Sequence, residues 1–391
     1  MKKLKILWLH PQLTNWFGGN RFVYNVIKEL SDNHDVELYV QKSTEEMKNK
    51  FIDSNISVNC LSNKSTGDFT FWLNFEREIK KQIKTLEKIS SNYDIVISSV
   101  FPMNIIADSI EIPHIQYVFE PFAFFWDPKM INNLPFAKKV FLKILRKKIG
   151  NKDITSTQRS NKILTINSGT KKEILKIYGK ESVPTLLGVD TDFFKNIKDK
   201  KLLNDYRNKK ILIHSTDWTP LKKTDWLIDQ FISISSRRDD LVLLVTEVIE
   251  KGHERNKVIK KIKDKNIKNI KLCGQVPFKI LPKYYATADI GIYTGVGEGA
   301  SAASLFVLEC MASETPVIRT NGTNDEVQHN ENGFLFEANN SNEFQNMLIK
   351  LLDNESIRKQ FGENARKYII KKYSWKKVSD IFERECRDLI K

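Results

Sequence analysis

Cysteine and histidine are scarce in this sequence. Its four cysteines, Cys60, Cys273, Cys310 and Cys386, are scattered through 391 residues, and no two form a CxxC pair. Such spacing argues against a disulfide framework or a zinc knuckle and predicts free thiols in a reducing compartment. No stretch approaches the ~20 apolar residues of a membrane span. The opening run MKKLKILWLHPQ starts basic, but His10 and Pro11 break its apolar core early. It is too short for a signal peptide and predicts a first buried strand, so a cytoplasmic protein is expected. A GxGxxG is also missing. Gly18 and Gly19 stand alone after the first strand, and no acidic residue closes the next strand where NAD binding would want one. Low-complexity segments and short repeats are absent.

What is present fits a globular protein. Hydrophobic residues make up 41% and charged residues 28%, which is too apolar for a disordered chain. Sixty-three Lys and Arg face 48 Asp and Glu, a formal charge of +15. Nucleic acid, an anionic membrane and phosphorylated substrates are the partners such a charge suits, and a plain solvated basic surface suits it equally. No nucleic-acid recognition motif accompanies the charge, so no nucleic-acid partner is expected.

Short apolar runs alternate with helical periodicity. KILWLH, DVELYV, YDIVISSV, IPHIQYVF and KILTIN read as strands. Between the first two, Phe22, Val23, Val26, Ile27 and Leu30 share one helical face. Ser168 is the expected cap of the helix after KILTIN. The pattern restarts with ILIHST, LVLLVT, IKLCGQ, ADIGIYT and TPVIRT. It predicts α/β architecture, with two Rossmann-like domains of parallel strands facing a central cleft. The polar, Lys-rich stretch 195–210 marks the linker. The expected domains are 1–195 and 196–375, with a C-terminal helix at about 376–391 packing back on the first.

One segment, GEGASAASLFVLECMASETPVI (297–318), poses a chemical question. Its helix carries a carboxylate, Glu309, inside an apolar run and behind small residues. Desolvating a carboxylate is costly unless something pairs with it. Ser301 or Ser304 is the expected helix cap, and free N–H groups at Ser301, Ser304 and Leu305 would attract a diphosphate. Glu309 would then accept from ribose hydroxyls, or else serve as a structural carboxylate bonded to nearby N–H groups.

Here the chain resembles family 4 retaining glycosyltransferases, whose pattern is roughly E-G-F-G-x-x-x-L-E-A-M-A-x-G-x-P-V-I. KILTINSGTKKEILKIYG, LLGVDTDFF, WTPLKKTDWLIDQF, CGQVPFKILPKYYATADIGIY and NGTNDEVQHNENGFLF resemble further segments of that family in the same order. YVFEPFAFFWD is similar to the H-E-P…W-D segment of mannosyltransferase-like members. The resemblance implies a GT-B fold, a GDP- or UDP-linked sugar donor held by the second domain and a saccharide or lipid-linked acceptor held by the first. It implies a hexosyltransferase acting with retention and without a metal or other cofactor, in glycan or cell-surface polysaccharide synthesis. Lys222 is implied to stabilise the leaving diphosphate, with Lys223 beside it. Glu309 is implied to hold the ribose, and Gly18 and Gly19 to approach the diphosphate. Glu120, Phe119 and Trp126 fall in the acceptor or sugar region.

Four departures stand out. Asp217 replaces the family's arginine, Phe119 its H-E-P histidine and Glu314 a glycine. The first glutamate of the E-x7-E pair, which the resemblance implies to be catalytic, falls on Ser301 without a gap, or on Glu298 if Ala302, Ala303 and Ser304 are an insertion. These changes keep open a catalytically impaired scaffold within a saccharide-assembly complex. His10, His114 and His214, near strand ends, are substitute polar groups or satisfied core residues. Finally, residues 136–150 alternate Phe136, Val140, Phe141, Ile144 and Leu145 with six basic side chains. This basic amphipathic helix either lies on an anionic membrane, peripheral on its inner face, or packs on the domain with a solvated basic side.

Overall fold

Buried strands with both faces covered are built from unbroken apolar runs, and the strands of this chain follow that rule. The computed structural model describes residues 2–16, 18–126, 131, 136–296, 304–322 and 326–391. It divides into two units, Met1–Leu187 with Trp375–Lys391, and Gly188–Ser374. The first division falls ahead of the Lys-rich linker stretch. Val189 donates its N–H to the Tyr373 carbonyl at 2.8 Å, and this bond ties the segment to the second unit.

In the first unit, β1 (Lys5–Leu13), β2 (Asp35–Ser43), β3 (Ser57–Cys60), β4 (Ile95–Ser99), β5 (His114–Val118), β6 (Lys162–Thr165) and β7 (Val183–Pro184) form one sheet. Its order is β3-β2-β1-β4-β5-β6-β7, and every pairing is parallel. β1 runs three residues past His10, beyond the end its apolar pattern suggests. Its pairing with β4 stops at Leu9, while pairing with β2 continues to Leu13 and skips Pro11. A residue without an N–H is tolerated where no ladder bond is needed.

Helix α1 (Gly18–Ser31) buries the expected apolar face plus Asn20. The short α2 (Phe69–Leu73) and the long α3 (Phe136–Arg159) follow. Helix α4 (Ser168–Tyr178) is capped by Asn167, whose Oδ1 accepts from the Thr170 N–H at 2.8 Å; Ser168, the expected cap, is its first helical residue. Gly179, at φ 64°, closes α4 in the left-handed conformation that favours glycine.

A buried carboxylate locks α3 in place. Asp153 accepts from Trp126 Nε1 (2.8 Å), Asn104 Nδ2 (2.8 Å) and the Tyr178 hydroxyl (2.9 Å). Burial still holds its pKa above the usual carboxylate value despite three donors.

The second unit repeats the scheme with β8 (Lys210–Thr216), β9 (Leu241–Glu247), β10 (Ile270–Leu272), β11 (Ile290–Tyr293), β12 (Val317–Thr320) and β13 (Gly333–Phe336). The order is β10-β9-β8-β11-β12-β13, again all parallel. Helices α5 (Thr224–Ser235) and α6 (Leu305–Ala312) flank it. Leu227, Ile228 and Phe231 of α5 share one core with Leu212, Leu243 and Ile292 of the sheet. Helix α7 (Trp375–Ile390) belongs to the first unit. There Phe382 lies 5.4 Å from Trp8, and Trp375 lies 5.7 Å from Phe22, centroid to centroid.

Candidate active site

Each sheet reverses its strand order once, between β1 and β4 and between β8 and β11. In open α/β sheets such a reversal leaves a crevice at the carboxyl ends of the strands, where ligands bind.

In the second unit, that position gathers charge. After β8 the chain forms a tight turn at Pro220–Lys222, and Lys223 follows at φ 52°. The turn is stitched to the segment after β11. Val296 N–H donates to the Leu221 carbonyl (2.8 Å) and Thr294 Oγ1 to the Lys222 carbonyl (2.7 Å). These bonds set Lys222 Nζ 3.2 Å from the Tyr293 hydroxyl. Burial works against the Lys222 charge, but Tyr293 and Asp217 outweigh it and hold its pKa above the ordinary lysine value. Lys222 is therefore an ammonium throughout the neutral range.

A second cation stands on the same ring. The Arg319 guanidinium, at the end of β12, lies 5.3 Å from the Tyr293 ring centroid and pairs with Glu326. Its side chain is only 2% exposed, and burial lowers its pKa. Neither Tyr293, Arg319 nor Glu326 was anticipated from the sequence. The available signal was the one used for Glu309, a charge inside an apolar run, here Arg319 in TPVIRT.

Glu309 lies one turn into α6 and is 2% exposed. Burial pushes the neighbouring Cys310 thiol well above its usual pKa, and the Glu309 charge adds to that shift. Ser304 occupies the cap position of α6, but its hydroxyl makes no capping hydrogen bond; Leu305 begins the helix. The expected hydroxyl cap at Ser304 is thus not formed, and backbone N–H groups of the first turn keep no side-chain acceptor from it. Glu298, Ser301, Ala302 and Ala303 lie outside the described residues.

Asp217, in the place of the family's arginine, accepts from the Thr219 N–H (3.0 Å) and hydroxyl (2.7 Å). Glu314, in the place of a glycine, adopts φ 63°, which accounts for a glycine elsewhere. Asn196 donates to its carboxylate at 2.7 Å, and the Arg366 guanidinium lies 3.7 Å away.

The first unit's reversal point is different in kind. Gly18 and Gly19 open α1, and a Cβ on Gly19 would only touch the Phe119 ring at 3.8 Å. Phe119 is half-buried against Tyr117 (4.8 Å) and Phe22 (5.3 Å). Glu120 is exposed. Trp126 is half-buried, held by Asp153, with the Arg146 guanidinium 4.5 Å above its ring. His10 bonds Ser99 Oγ and Asn20 Oδ1, both at 2.8 Å, and burial lowers its pKa to about 4 although Asn20 opposes this. Burial likewise lowers His114, 2.7 Å from Ser98 Oγ, to about 3. In the second unit His214 bonds Thr224 Oγ1 at 3.0 Å and is lowered by burial to about 4. All three are neutral, bonded core residues. The structure therefore brings together Lys222, Tyr293 and Arg319 in one unit, and Gly18, Gly19 and Phe119 in the other.

Residues 194–368, all within the second unit, match the family described as "Glycosyl transferases group 1". The chain is similar to a poly(ribitol-phosphate) α-N-acetylglucosaminyltransferase of Staphylococcus aureus, 26% identical over 231 residues, 58% of this chain and 43% of the relative. The chain spans about half the length of the curated relatives it matches. In fold it is similar to Anabaena HepE in complex with UDP and glucose, with TM-score 0.78, 15% identity, and 99% of this chain and 100% of that one covered. It is also similar to S. aureus TarM in complex with fondaparinux, α-GlcNAc-glycerol and UDP, with TM-score 0.71, 14% identity, and 98% and 99% covered. These likenesses establish the fold, two parallel-sheet Rossmann-like α/β units of the GT-B type.

Proposed function

We propose that the protein is a glycosyltransferase that takes a sugar from a UDP-linked donor and passes it to a saccharide or lipid-linked acceptor in cell-surface polysaccharide synthesis. The observation that carries this reading is Lys222, a fully charged ammonium fixed at the strand-order reversal of the unit that matches the group 1 family. UDP is favoured over GDP as the donor base because HepE and TarM are both similar in fold and both bind UDP.

In the proposed reaction the bond between the anomeric carbon and the diphosphate oxygen breaks, and the acceptor hydroxyl oxygen bonds to that carbon. The electron pair leaves with the diphosphate, whose growing charge Lys222 stabilises. The hydroxyl proton passes to the departing phosphate on the same face, so configuration is retained. Glu309 holds the ribose, and the α6 N–H groups at Ser304 and Leu305 face the diphosphate. Membership of family 4, hexosyl specificity and metal independence are parts of the same proposal. So is the acceptor role of Glu120, Phe119 and Trp126 in the first unit, with Gly18 and Gly19 contacting the diphosphate. Residues 136–150 present the acceptor at the inner face of an anionic membrane. Among the described residues no helix is long and apolar enough to cross one.

Incubation with UDP-glucose, UDP-N-acetylglucosamine and GDP-mannose, each with and without EDTA, tests the reading. Release of UDP with either UDP-sugar, undiminished by EDTA, is expected. Binding of UDP with no turnover of any donor would favour the second reading, a scaffold, for which the replacement of the family's cation and histidine by Asp217 and Phe119 speaks.

A further inference from the structure

Large apolar side chains exposed together mark a surface that meets something other than water. In the first unit they gather on α2 and the start of α3. Phe136 is 82% exposed, Ile144 64%, and Phe69 and Leu73 63% each. With Val140, Phe136 and Ile144 repeat every fourth residue and so form one stripe along α3. The Phe69 ring lies 5.6 Å from Phe141, joining α2 to the same face.

The basic residues of α3 divide into two sets. Toward its C-terminal end they are paired, Lys152 with Glu76 (2.6 Å) and Arg159 with Asp108 (3.6 Å). Toward its start, Lys139, Lys143 and Lys147 run alongside the apolar stripe at the same four-residue spacing. Among the described residues no carboxylate pairs with them. Beside them is a cavity of about 410 Å³ whose lining includes the apolar Trp126 and Ile154 together with Lys143, Arg146, Lys147 and Asn151. Trp126 forms its fixed wall, because Asp153 holds the indole N–H and Arg146 covers the ring. The guanidinium edge, two ammonium groups and the Asn151 amide bring hydrogen-bond donors to this opening.

We infer that this face of the first unit docks on an anionic bilayer and that the Trp126–Lys143–Arg146–Lys147 cavity receives the phosphate of a lipid headgroup. The inference rests on the membrane-facing reading of 136–150 and adds a second element, α2, and a defined phosphate socket. Phe136, Ile144, Phe69 and Leu73 enter the headgroup–acyl boundary, as apolar faces of interfacial helices do. The lysine row meets the anionic surface beside them. A protein partner would be expected to offer carboxylates and an apolar groove; a row of lysines without carboxylate partners among the described residues, beside an exposed apolar stripe, favours an anionic lipid surface.

The test is co-sedimentation of the full chain with phosphatidylcholine vesicles, with and without phosphatidylglycerol, at low and high salt. Binding only to the anionic vesicles, weakened by salt, is expected. Arg146→Gln with Lys147→Gln should weaken it about 25-fold, since each basic residue near such a surface is worth about fivefold. Phe136→Ser with Ile144→Ser should also weaken it while leaving its salt dependence in place. Inorganic phosphate at matched ionic strength should compete poorly, because it cannot supply the apolar contact. Equal binding to neutral vesicles, or anionic binding unchanged by the Arg146/Lys147 pair, overturns the inference. So does full competition by free phosphate, which would make the cavity a soluble-anion site. Thermal melting and UDP calorimetry on the same variants report folding and the second unit separately. Vesicle binding without UDP binding would therefore defeat the functional reading alone.

Discussion

The two sheets reverse strand order in the same way but treat the residues at that point oppositely. In the first unit, polar groups at the reversal are neutral and mutually satisfied, with His10 between Ser99 and Asn20. In the second, two cations share one aromatic ring, Lys222 at 5.0 Å and Arg319 at 5.3 Å from the Tyr293 centroid. Like charges brought that close in a protein interior repel. Arg319 is balanced by Glu326, and Lys222 leans on Tyr293 and the more distant Asp217. A diphosphate beside Lys222 would relieve that imbalance, and nothing comparable exists among the described residues at the first unit's reversal. The repeated fold supplies two equivalent positions, and on the proposed reading the placement of charge decides which one would hold an anion.

Breaking the balance in the second unit should produce the largest effect. Arg319→Met leaves the Glu326 carboxylate buried without its partner, and removing one member of a buried pair costs about 3–5 kcal/mol. Urea unfolding measures the loss, and adding Glu326→Gln should restore much of it. A variant as stable as wild type would mean that the pair contributes no more than a surface contact. Lys222→Ala should next lower the transfer rate by roughly 10²- to 10³-fold, the usual cost of one transition-state stabiliser. Steady-state kinetics decide it, and near-normal turnover would hand the role to Lys223 or Arg319.

Acid should sharpen the contrast, because three of the lowered histidines, His10, His34 and His114, lie in the first unit. Folded His10 resists protonation down to about pH 4 and His114 to about 3, whereas the unfolded chain takes those protons up near 6.5. Stability from these groups is complete above that value and falls as pH drops toward 4, by about 1.4 kcal/mol per pH unit for each histidine. Asp153 works in the opposite sense, since its raised pKa makes protonation in acid favourable to the fold. Denaturant titrations of His114→Gln from pH 7 to 4 should show a shallower decline than wild type; parallel curves would refute the assignment. Tyr293→Phe should give the smallest change. Loss of one hydrogen bond to Lys222 is worth about 0.5–1.5 kcal/mol, read as a modest fall in nucleotide affinity. An unchanged affinity would show that the ring, and not the hydroxyl, sets the lysine.

Much of this arrangement can be read from residues alone, and the exceptions have common causes. Continuous runs such as LVLLVT announce the central strands because both faces of those strands are covered. The unannounced strands β3, β7 and β13 are all at sheet edges, where two to four residues of mixed character suffice. Lys222 was found through its motif, and Glu309 through a charge misplaced in an apolar helix. Tyr293 and Arg319 escaped because each reads as an ordinary end of a strand. Their importance arises only when parallel pairing sets Tyr293 beside Arg319 in register. The histidines near strand ends read as substitute polar groups or as satisfied core residues, and their hydrogen bonds place all three in the core.

The most direct test of the central claim, that the second unit's strand-order reversal binds a nucleotide diphosphate, is calorimetric titration of UDP into the wild-type chain and into Lys222→Ala and Glu309→Gln. Saturable binding that weakens in both variants, while their melting temperatures stay close to wild type, is the predicted result. Absence of UDP binding, or affinity unchanged in both folded variants, would contradict it.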